Sequence, residues 1–118
     1  MSVTSDEPIN WRVTQGETFL LELQYQDPDE NPIDITDINV VMEIKDKPGG
    51  NILCARLTIN DGITVSDPIS GIMDIVISSE RTRVFNYPRA AYEILGTDQY
   101  GENILFLQGW FEVSEGLI

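Results

Sequence analysis

The chain has 118 residues, 42% of them hydrophobic and 23% charged, which is enough for one hydrophobic core and too short for two comfortable ones. Twenty acidic residues against seven basic ones give a net charge of −13, and no Lys or Arg follows Arg89. Such a surface repels phosphate backbones and anionic headgroups, so neither nucleic-acid binding nor membrane insertion is expected.

The first ten residues are polar and acidic, with no apolar stretch of a secretory signal, and no apolar run approaches the roughly 20 residues that cross a bilayer. Synthesis in a cytoplasm and a soluble folded product are therefore expected. The lone cysteine, Cys54, excludes an internal disulfide and a cysteine metal cluster, and its strand-like surroundings suit a buried or half-buried thiol with no chemical role.

In chain order, residues 1–10 form a short N-terminal arm. Phe19, Leu21, Leu23 and Tyr25 then alternate with more polar neighbours, the period of a half-buried strand. Asp27-Pro28-Asp29-Glu30-Asn31-Pro32 is a turn cluster. A second strand carries Val40, Met42 and Ile44 on one face, and Lys47-Pro48-Gly49-Gly50-Asn51 closes it. Leu53, Ala55, Leu57 and Ile59 line one face of a third strand, ended by Asn60-Asp61-Gly62.

Residues 63–65 are a short extended piece before the turn at Asp67 and Pro68. Met73, Ile75 and Ile77 give the inward face of the next strand. Residues 78–85 hold the one expected helical turn, capped by Ser78 or Ser79 and ended by Pro88. Tyr92 and Ile94 face inward on the following strand, residues 98–102 make a hairpin loop, and Leu105, Leu107, Gly109, Phe111 and Val113 share the inner face of the last strand. The expected fold is all-β: a single antiparallel β-sandwich, Ig-like or jelly-roll-like, of about seven to eight short strands with one short helical turn, spanning residues 1–118.

Catalysis finds little support. Histidine is absent, which removes the commonest general acid/base and metal ligand, and no nucleophile with an adjacent base is evident. Asp27-x-Asp29-x-Asn31 has the beginning of a calcium loop, but Pro32 stands where such a loop needs glycine and Ile38 where it needs glutamate. Gly49-Gly50 lacks the residues of a phosphate loop. No catalytic residue, cofactor, metal or small-molecule substrate is expected.

More informative are apolar residues on the outward phase. With Leu105 to Val113 facing in, Ile104, Phe106 and Trp110 face out, and Trp11 and Leu20 are placed near them on the first strands. Outward aromatic residues of this kind are typical anchors of protein–protein contacts. The five form the expected partner interface, unless an N-terminal arm or the helix covers that face.

Several of these residues, in this order, resemble a family of tailed-bacteriophage virion proteins: the β-sandwich domain at the N-terminus of baseplate upper proteins and of small tail- or fibre-associated proteins. The resemblance runs from Gly16-Glu17-Thr18-Phe19 through Tyr25-x-Asp27-x-Asp29-Glu30-Asn31-Pro32-Ile33-Asp34-Ile35-Thr36, with Glu30 where the family has glycine. It continues through Met42-x-Ile44, Gly71-x-Met73-x-Ile75, residues 78–82 and Tyr92-Glu93-Ile94 to Leu107-Gln108-Gly109-x-Phe111-x-Val113.

The resemblance implies a non-enzymatic structural protein located in the virion, in the tail, baseplate or fibre attachment. Its partners would be other virion structural proteins in multiple symmetric copies. With no further domain after Ile118, an adaptor or connector is expected rather than a complete fibre. The alternatives are a head decoration or minor capsid protein, or a free-standing carbohydrate- or peptide-binding module with Trp11, Trp110 and Tyr100 as stacking platforms.

Overall fold

The computed structural model describes residues 2–3 and 9–116, apart from the side chains of residues 2, 3, 105 and 106. Nine strands are present among the described residues: β1 (Ser2–Val3), β2 (Trp11–Thr14), β3 (Phe19–Tyr25), β4 (Asn39–Lys45), β5 (Leu53–Ile59), β6 (Gly62–Asp67), β7 (Ile72–Ile77), β8 (Arg89–Thr97) and β9 (Asn103–Ser114). One helical turn, α1 (Ser79–Thr82), lies between β7 and β8, and the Ser78 hydroxyl caps it by accepting from the Arg81 N–H.

The alternation written in the sequence sets which side of each strand is inside. Val40, Met42 and Ile44 of β4 are fully buried, as are Ile75 and Ile77 of β7, and Leu107, Phe111 and Val113 of β9 turn the same way. Leu23 and Tyr92 are buried as expected, while Phe19 and Leu21 are half-buried, consistent with their place on β3 near one edge of the sheet.

The strands do not clearly divide into two antiparallel sheets. One hydrogen-bonded sheet runs through all nine in the order β1-β3-β7-β6-β5-β4-β8-β9-β2, curling into a nearly closed, barrel-like shape. The sandwich expectation is corrected on this point, and so is its purely antiparallel pairing, since β1/β3, β2/β9 and β5/β6 pair in parallel. Register shifts at Ile44/Lys45, Val65/Asp67 and Gly96/Thr97 mark where the sheet bends, because an extra residue on one strand raises the local twist.

Curling brings the two ends of the strand order together around a cluster of aromatic rings. Phe19 of β3 meets Phe111 of β9 edge-on at 5.3 Å, and Phe85, from the segment after α1, packs on Phe111 at 5.5 Å. Trp11 is part of this core. It is 6% exposed, stacks on Tyr92 at 4.4 Å and lies 5.7 Å from Phe111. Its expected outward placement is therefore corrected. Parallel pairing sets Trp11 opposite Phe111, and side chains opposite each other in a ladder share a face.

Buried Thr82 ties α1 across the open side of the barrel. Its hydroxyl donates to the Glu17 carbonyl at 2.7 Å and accepts from the Gly16 N–H at 3.1 Å. Beside it, the Gln15 amide donates to the Phe85 carbonyl.

Two loops share one hydrogen-bonding design. In residues 27–31 the Asp27 carboxylate accepts from the N–H groups of Asp29 and Asn31, and the Glu30 N–H donates to the Asp27 carbonyl. In residues 98–102 Asp98 accepts from Tyr100 and Glu102, and the Gly101 N–H donates to the Asp98 carbonyl. The fourth residue has positive φ in both loops, 68° at Glu30 and 81° at Gly101.

Candidate partner interface

Of the five residues expected to form one outward patch, the four whose side chains are described have four different environments. Trp11 is in the core. Leu20 is 70% exposed on the outer face of β3, where its cross-strand neighbour is Val76 of β7, itself 43% exposed. The Leu20–Val76 pair escaped the sequence analysis: the period of two put each residue on an outer face, but the pairing of β3 with β7 is not written locally.

Ile104 is half-buried and packs against the core. Leu105 pairs with Gly96 and Asn103 with Thr97, so Ile104 is the extra residue of a β-bulge. A bulge reverses the alternation locally, which corrects its expected outward placement. The Phe106 backbone pairs with Leu95, which is 37% exposed, and the Phe106 side chain lies outside the described residues.

Trp110 faces the outer side of β9 and is half-buried, with the Arg89 guanidinium 4.5 Å above its ring. That cation–π contact shields one face of the indole. Its backbone N–H donates to the Asn10 side-chain oxygen at 3.0 Å, one of several bonds that seat the arm on β9. The Ile9 N–H donates to the Gln108 carbonyl, and the Tyr92 hydroxyl donates to the Ile9 carbonyl. Gly109 permits this approach, since a Cβ there would fall within 1.9 Å of the Ile9 carbonyl oxygen.

Burial pushes the Tyr92 hydroxyl well above the usual phenol range, so it stays a neutral donor. Burial also raises the Cys54 thiol, which lowers its thiolate fraction, although a backbone hydrogen bond from Asn86 works the other way. Thiolate chemistry is disfavoured there.

Trp11, Trp110 and Tyr100 do not assemble into a stacking platform: Trp11 is buried, Arg89 covers one face of Trp110, and Tyr100 stands 80% exposed in the loop between β8 and β9.

The fold is similar to that of a phage protein domain. The N-terminal domain of phage TP901-1 ORF48 superposes with a TM-score of 0.65 at 11% sequence identity, covering 96% of this chain and 94% of that one. No protein-family model and no curated protein matches the sequence. The likeness therefore lies in the course of the backbone, and the neighbour is a phage protein, as are the proteins that the short turn and strand motifs resemble.

Proposed function

We propose that the protein is a structural component of a bacteriophage virion, a tail, baseplate or tail-fibre adaptor that acts through protein–protein contacts and performs no catalysis. The observation that carries the reading is the end-to-end fold likeness to the N-terminal domain of a phage protein, which takes in 96% of the chain. The absence of histidine and the scatter of the acidic residues along the chain support the non-enzymatic part. The partners are other virion proteins in repeated copies.

Trp110 and the backbone of β9 around Phe106 form one contact region of this adaptor. Tryptophan is among the commonest interface anchors, and truncating such an anchor costs roughly 2 kcal/mol or more of binding. The test is quantitative mass spectrometry of gradient-purified particles made with the unaltered chain or with Trp110→Ala. The unaltered protein should be present at a fixed ratio to the other tail proteins, and the variant should fold yet be depleted. Absence of the unaltered protein from particles would refute the virion reading, and normal incorporation of a folded variant would remove Trp110 from the contact.

A further inference from the structure

Charge is segregated along the sheet. All seven basic residues fall outside residues 13–44 and 57–80, the two stretches that contain β3, β6 and β7 with their connecting loops. These three strands are hydrogen-bonded neighbours, in the order β3-β7-β6. Their shared outer face is therefore a part of the sheet whose own strands supply acids and no cation.

That face also has an apolar centre with relief. Leu20 and Val76, 70% and 43% exposed, stand side by side as a cross-strand pair. Beside Val76 the third strand begins at Gly62, whose φ of 100° and close approach to the buried Leu57 side chain leave no room for a Cβ. An open hollow of about 500 Å³ lies there, lined by Gly62, Val76, Asn60, Thr64 and Asp61. Arg81 borders the hollow from α1, but its guanidinium is tied to both carboxylate oxygens of Asp61 at 3.0 Å. Along the pair, the next row outward sets Glu22 opposite Asp74.

We infer that the β3–β7–β6 face docks a virion protein that presents lysine or arginine around an apolar side chain, the apolar group seated by Leu20 and Val76 over the Gly62 hollow. The inference rests on the virion reading and names the chemistry of one partner. An apolar pair of this exposure gains from being covered, and an acidic border free of strand cations steers a basic surface onto it while rejecting an acidic one. A second copy of this chain is disfavoured as occupant, because its own face would set the same carboxylates against these.

A photoactivatable benzoyl-phenylalanine placed at Leu20, with the same group at Gln108 on the exposed outer side of β9 as control, tests this in purified particles. Leu20→Lys is assayed alongside for its amount per particle and its melting temperature. The expected result is an adduct from position 20 to one other virion protein, at a peptide rich in lysine or arginine and distinct from whatever position 108 captures. Leu20→Lys, which repels a basic partner, should melt with the unaltered protein and fall roughly tenfold in particles. Particles that contain the chain but give no adduct from position 20, an adduct to a second copy or to an acidic surface, or full incorporation of Leu20→Lys would each overturn the inference and leave the virion reading standing. Absence of the unaltered chain from particles would overturn both.

Discussion

Glu30 and Gly101 occupy equivalent places in two loops of the same design, and only one of them suits its backbone. A side chain at φ near 68° pays a steric cost that glycine does not, set partly against glycine's greater freedom in the unfolded chain. Glu30 is exposed, so Glu30→Gly should stabilise the protein by about 0.5–1 kcal/mol, read as a higher denaturation midpoint with unchanged slope. The reverse change, Gly101→Glu, should cost about 1 kcal/mol, and it is a clean comparison because a Cβ at Gly101 meets nothing within 4 Å. Equal stabilities of Glu30→Gly and the unaltered protein would show that the loop relieves the strain elsewhere.

Tyr92 gives a second prediction at this scale. Its folded-state ionisation is raised above that of the unfolded chain, so the unfolded state loses the proton first on the alkaline side. The contribution is fully present below about pH 10, the ordinary phenol value, and is lost as pH rises through the raised folded value. The melting temperature of the unaltered protein should therefore fall more steeply above about pH 10 than that of Tyr92→Phe. Parallel declines would mean that Tyr92 ionises freely in the folded state.

At the scale of elements, alternation made the inner faces of β4, β7 and the C-terminal half of β9 legible, because a strand half-buried on one side leaves that period in its own residues. The helical turn was legible for the same local reason, a serine before a short polar run. What stayed hidden depends on partners distant in sequence. Trp11 reads as outward until β2 is laid parallel to β9, and Ile104 reads as outward until the bulge opposite Gly96/Thr97 is seen. Thr82 is hidden in the same way: it is one threonine in a polar stretch, yet its hydroxyl joins α1 to the turn between β2 and β3. Thr82→Val keeps the shape and leaves the Gly16 N–H and the Glu17 carbonyl short of a partner, so it should cost about 1–3 kcal/mol in equilibrium unfolding. A loss below roughly 0.5 kcal/mol would indicate that water takes over both bonds.

At the scale of the whole molecule, the strands curl into one sheet where the sequence suggested two, because local alternation says which side is inside and nothing about where a ladder ends. The interface residues scattered for the same reason: Leu20 and Trp110 sit on strands that share no ladder. The proposed function makes this small acidic barrel a part held between neighbours in a larger assembly. The central claim is that this assembly is a virion, and the most direct measurement is a cryo-electron microscopy reconstruction of the intact particle. The expected result is repeated density in the tail, baseplate or fibre attachment that fits the nine-stranded barrel, with neighbouring chains against its outer face. A particle map resolved throughout in which no density fits the barrel would contradict the account, and density in the head shell alone would replace the adaptor with a capsid protein.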